Sequence, residues 1–245
     1  MYSLTEAEKQ YDRIVGLRST SCSIPTDRLV VVMGASGSGK STLLRLLSFV
    51  ELPERGTVRL ELNGDTFDNI GRSRPWPRLT CVFQKQFLWP HLTLRENLRL
   101  PLRTVRDFEA TQRIASVVEL FAMSEFVDRY PNEVSGGQAQ RAALARALVL
   151  DPELILIDEA HTGLDLEQQA ILNSHLLKLK ASSVGLIIVS HSLSFARRHA
   201  DTVVTLKQGL VTAVDTREVF LRTTAGYAKD DVDSALDSHD ITVTR

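Results

Sequence analysis

The chain of 245 residues has only two cysteines, Cys22 and Cys81. They stand far apart, each among strand-like neighbours, which is neither metal-ligand spacing nor a disulfide framework. The pattern predicts two reduced thiols in a cytosolic protein. There is also no excess charge: 29 Lys and Arg face 30 Asp and Glu. A chain that binds nucleic acid by a global basic field is thereby excluded, and no nucleic-acid partner is expected. The first residues, "MYSLTEAEKQYDR", lack the apolar core of a signal peptide. No apolar run is long enough to cross a bilayer. Internal repeats and low-complexity linkers are missing too. A chain soluble by itself is expected, which leaves open a seat on a membrane protein.

What is present is a large apolar fraction, 43% of residues, arranged in short runs. "RLVVVMG" (28–34), "LTCVFQ" (79–84), "ELILIDEA" (153–160) and "VGLIIVSHS" (184–192) read as buried strands. "GTVRLELNG" (56–64) alternates and reads as a half-buried antiparallel strand ending in a turn. "KSTLLRLLSFVE" (40–51) carries apolar residues on one helical face, as does 166–182; residues 194–200 read as a short helix. From 85 to about 150 the pattern is mainly helical. A hairpin turning at Gln208–Gly209 follows near the end, and 226–245 is acidic and loosely patterned, a terminal tail. Strands alternating with helices predict an α/β fold with a mostly parallel sheet, an antiparallel β subdomain and an inserted helical subdomain.

The stretch "GASGSGKST" (34–42) lies between a predicted strand and a predicted helix. It matches G-x-x-x-x-G-K-[ST], with Gly34, Gly39, Lys40 and Ser41 at the fixed places. Small residues, here Ser36, Gly37 and Ser38, let successive backbone N–H groups curl round a phosphate. The helix N-terminus, through Ser41 and Thr42, adds partial positive charge. Lys40 is expected on the β- and γ-phosphates of a nucleoside triphosphate, and the Ser41 hydroxyl on Mg²⁺. Asp158 ends an apolar strand at its carboxyl end, where ligands of such sheets bind, and is assigned to Mg²⁺. Glu159 follows and, in an extended chain, points the other way, towards a water it could deprotonate. Gln84 and His191 also end apolar strands. A common sheet edge assigns Gln84 to Mg²⁺ and water, and His191 to the γ-phosphate.

A helix former of high propensity begins at Gln138, preceded by Ser135, Gly136 and Gly137. One N-cap serine suffices to start a helix, so two glycines imply a close approach to bare backbone. Together these motifs resemble those of the ATP-binding-cassette (ABC) ATPases, within the P-loop NTPases of RecA-like fold. The family signature LSGGQ stands here as "VSGGQ" (134–138). The order Walker A, Gln84, signature, Walker B, "TGLD" ending at Asp165, and His191 is that of the family. The resemblance covers about residues 1–225. It implies ATP and Mg²⁺ as ligands, and two cassettes paired head to tail. Ser135, Gly136, Gly137 and Gln138 of one copy would then face the ATP held by the other, with Asp165 beside it. It also implies an aromatic platform for adenine upstream of the P-loop, placed at Tyr11, with Tyr2 the weaker rival.

Two departures stand out. The family's DEPTSALD reads "DEAHTGLD" (158–165), and "SRPWP" (73–77) replaces a basic stretch. No catalytic group is lost. "FQKQFLWPHLTLREN" (83–97) resembles importer ATPases for polar amino acids. The resemblance therefore implies an energy-coupling subunit on the cytoplasmic face of the inner membrane. It would be held there by transmembrane permease subunits, with a second ATPase subunit and a solute-binding protein as further partners. A non-transport ABC ATPase regulating a membrane complex, of the cell-division type, or an exporter-associated ATPase, is the alternative implied.

Overall fold

The computed structural model describes residues 1–12, 14–71, 73–159 and 164–224. They form two compact units, one made of Met1–Pro75 with the chain from Gly185 onward, the other of 76–184.

The first unit holds two sheets. β1 (Tyr2–Tyr11) and β2 (Ile14–Ile24) pair antiparallel, and β1 also pairs with β4 (Arg55–Leu62), which turns into β5 (Asp65–Asp68). The order is β2-β1-β4-β5. β1 is not legible in the sequence. Tyr2, Leu4 and Ala7 are its buried residues, but a bulge between Leu4 and Ala7, with Glu6 at φ 46°, breaks the alternation. Tyr2 belongs to this core: it is fully buried and its hydroxyl donates to Leu47 O at 2.6 Å. It is therefore no rival to Tyr11 as a platform.

β3 (Leu29–Met33) runs parallel to β8 (Gly185–Val189) and β9 (Thr202–Lys207), and β10 (Leu210–Thr216) folds back antiparallel on β9. β3 and β8 are buried along their whole lengths, as expected of parallel strands covered on both faces. α1 (Lys40–Leu47) follows β3 and is shorter than the run 40–51, because Phe49 turns left-handed at φ 57°. α6 (Leu193–His199) and α7 (Arg217–Thr223) complete the unit.

In the second unit, β6 (Leu79–Val82) and β7 (Leu154–Asp158) pair in parallel, Val82 opposite Ile157. α2 (Leu94–Arg99), α3 (Asp107–Leu120), α4 (Gly136–Leu148) and α5 (Leu166–Ala181) surround a core that includes Leu98, Phe121, Phe126 and Leu144. Asn97, fully buried in α2, accepts from Trp89 N at 2.8 Å and donates to Trp89 O, Leu92 O and Thr93 O at 2.9–3.1 Å. One side chain thus satisfies the polar backbone of the loop before α2. Cys22 and Cys81 are unpaired thiols; burial raises both pKa values, that of Cys22 to about 11. The tail expected at 226–245 lies outside the described residues.

Candidate nucleotide site

The phosphate loop leaves the carboxyl end of β3 and enters α1 at Gly39. This residue has φ 99°, and a Cβ there would lie 2.3 Å from Gly16 O. Both facts require glycine. Ser36 and Gly37 are exposed at the tip, Ser38 and Thr42 are buried, and Ser41 is half-buried. Gly209 N donates to Ser38 O at 3.0 Å, so the β9–β10 turn holds the loop from one side. Lys40 is 5% exposed and folds back: its Nζ donates to Gly34 O at 2.7 Å and to Ala35 O at 2.8 Å. Ser38 Oγ is buried and has no hydrogen-bond partner among the described residues.

Tyr11 sits against this loop's helix. A Cβ on Gly16 would lie 2.6 Å from its ring and 2.9 Å from the Thr42 side chain. Its hydroxyl donates to Glu51, which Arg45 also approaches at 3.4 Å. Burial, then the hydrogen bond to Glu51, raises its pKa. His191 is exposed just beyond β8, whose Val189 pairs with Val32 of β3. His191 and the phosphate loop thus leave the same edge of one sheet.

In the second unit, Gln84 and Glu159 follow the carboxyl ends of β6 and β7, and Gln84 Nε2 donates to Glu159 Oε2 at 2.8 Å. Asp158 is buried at the end of β7. The reading of Asp158 and Glu159 as alternating strand residues needs correction. β7 ends at Asp158, and Glu159 has φ 49°, so a left-handed turn rather than strand alternation separates the two carboxylates.

Ser135 caps α4. Its Oγ accepts from Gln138 N at 3.3 Å, and Gln138 Oε1 accepts from Ser135 N at 2.9 Å, a reciprocal capping box. The two glycines after it are not equivalent. A Cβ on Gly136 would meet nothing within 4 Å, whereas one on Gly137 would lie 2.6 Å from Gln168 Oε1 of α5. The Gln168 side chain therefore lies against Gly137, while the space beside Gly136 is open. Asp165 is exposed and caps α5, accepting from Gln168 N at 2.8 Å. Ala160, His161, Thr162 and Gly163 of the departing "DEAHTGLD" lie outside the described residues. Trp76 of "SRPWP" is 60% exposed.

Sequence reasoning passed over Glu51, Gln86, Asn97, Gln140, Arg146 and Gln168, which hold these motifs. A signal existed for Asn97, a neutral amide set among Leu94, Leu98 and Leu100.

The ABC transporter family profile matches residues 17–162, more than half of the chain. The glutamate transport ATP-binding protein GluA of Corynebacterium efficiens is 33% identical over 90% of this chain and 92% of that protein. The arginine transport ATP-binding protein ArtP of Escherichia coli K12 is 36% identical over 76% of this chain and 79% of its own. A dimeric ATP-binding cassette, solved in a post-hydrolysis state with ADP and Pi, matches with a TM-score of 0.79. It is 29% identical, over 89% of this chain and 99% of that one. With its fold, its phosphate loop and these relatives in agreement, the chain belongs to the ABC transporter family.

Proposed function

We propose that this ABC ATPase drives an importer for a small polar solute of the amino-acid class, from the cytoplasmic face of the inner membrane. The substrate class rests on the amino-acid transport relatives, GluA and ArtP. The observation that carries the coupling role is the bond from Gln84 to Glu159. Three and five residues after Gln84 stand Phe87 and Trp89, 58% and 50% exposed. A permease segment seated on these rings would act on the residue that orients the catalytic carboxylate. A solute-binding protein would deliver the solute from the far side.

In this reading Lys40 exchanges its two carbonyl partners for β- and γ-phosphate oxygens, and the N–H groups of 36–42 enclose them. Tyr11 stacks on adenine. Ser41, Asp158 and Gln84 offer the hard oxygen donors that suit Mg²⁺; when bound, the ion offsets charge on the phosphates. Glu159 accepts the proton of the attacking water while Gln84 holds its Oε2, and His191 meets the γ-phosphate. Ser135 and Gly136, at the positive end of α4, meet the γ-phosphate held by a second copy.

Copurification of the chain from its own membranes tests the transport role. A multi-spanning permease should come with it, and ATP turnover should rise with the solute. A partner that spans the membrane but leaves turnover independent of any solute would favour a regulatory ATPase instead.

A further inference from the structure

The loop after Gln84 has no regular secondary structure between β6 and α2, yet it holds a strained shape. Phe87 adopts φ 49°, a left-handed conformation that is unfavourable for a residue with a side chain. The guanidinium of Arg146, in the third turn of α4, straddles that residue. Its NH1 donates to Phe87 O and its NH2 to Gln86 O, both at 2.8 Å. One turn and a half earlier on the same helix, Gln140 Oε1 accepts from Gln86 Nε2 at 3.1 Å. Gln140, Ala143 and Arg146 step along one i+3 ridge. Burial lowers the pKa of Arg146, and among the described residues no carboxylate pairs with it. A half-buried guanidinium that donates to two adjacent main-chain carbonyls has a geometric task.

We propose that Arg146 is a positioning residue that clamps the loop after Gln84 to the helix carrying Ser135–Gln138, so that loop and signature move as one body. The proposal rests on the reading that Phe87 and Trp89 receive the permease. The same loop is bonded at one end to Glu159 through Gln84 and at the other to α2 through Asn97. A displacement of the aromatic rings would therefore reach the hydrolytic carboxylate through Gln84 and the partner-facing Ser135 through Arg146. The two halves of a composite site would be shifted by one contact. A planar fork is needed to span two adjacent carbonyls; a lysine ammonium keeps the charge but not the fork.

The test compares Arg146→Lys with the wild type as the full chain and in the complex copurified with its permease. Hydrogen exchange of the Trp89 amide, which Asn97 protects, reports the loop. Exchange there should rise about tenfold or more, equivalent to about 1.4 kcal/mol of local opening, with exchange in β3 and β7 unchanged. In the complex, permease- and solute-stimulated turnover should fall about tenfold at unchanged KM for ATP. A wild-type exchange rate at Trp89, or undiminished stimulation, overturns the clamp. Failure of the docking reading looks different: Phe87→Ala with Trp89→Ala would leave permease copurification intact, while the Trp89 exchange in Arg146→Lys still decides the clamp. If Arg146→Ala fails to fold, Arg146→Lys, which retains charge and stem, carries the test.

Discussion

Gln84 Nε2 lies 2.8 Å from Glu159 Oε2, joining the residues that follow β6 and β7. The bond fixes the carboxylate that the proposed mechanism uses as a base, whereas Asp158, the residue before it, is buried. The two acids should therefore fail differently. Asp158→Asn should weaken Mg·ATP binding. Glu159→Gln should bind Mg·ATP normally and turn over about 10²–10⁴-fold more slowly. Separate measurement of nucleotide affinity and single-turnover rate distinguishes them; equal loss of affinity in both would remove Glu159 as the base.

Lys40 is expected to be indispensable to phosphate binding and not to the fold. Its bonds to Gly34 O and Ala35 O lie within the loop itself. Lys40→Ala should reduce turnover by at least about 10²-fold while circular dichroism stays that of the wild type. Turnover near the wild-type rate would contradict the phosphate-loop assignment.

The two signature glycines make opposite demands. Gly136→Ala adds a methyl group to open space and should leave stability unchanged or raised by up to about 1 kcal/mol, yet impair ATP-driven pairing. Gly137→Ala must displace Gln168 and should be the less stable of the two. Thermal unfolding of both variants checks the order.

His175 predicts a pH dependence of stability. It is buried in α5, its ring centroid 5.0 Å from that of Phe121, and its Nδ1 has no hydrogen-bond partner among the described residues. Burial first, then the charges of Lys178 and Arg141, lower its pKa. The unfolded chain thus binds this proton more tightly than the folded one. The stability that neutral His175 contributes is full above its unfolded pKa, about 6.5, and is lost as pH falls from there towards the lower folded value. Between about pH 7 and pH 5 the melting temperature should fall more steeply for wild type than for His175→Phe. Equal slopes would contradict the assignment.

Much of this was legible from residue order alone. The apolar run before Gly34 reads as a buried strand and is one, and the helix beginning near Gln138 follows an N-cap serine as its composition implies. What escaped notice depends on contacts distant in sequence. β1 hides its three buried residues behind a bulge at Glu6. Phe87 gives no sign that it is left-handed. Gly136 and Gly137 look alike in the sequence, and only the fold sets Gln168 against the second of them. Arg146 resembles an ordinary helix-surface cation until its partners, sixty and fifty-nine residues earlier, are known.

The central claim is that each chain carries two half-sites completed by a second copy around ATP. Sedimentation of Glu159→Gln with saturating Mg·ATP tests it most directly. The mass should double relative to the nucleotide-free chain, and the additional change Ser135→Arg should return it to that of one chain. A mass that stays the same with and without ATP would contradict the account.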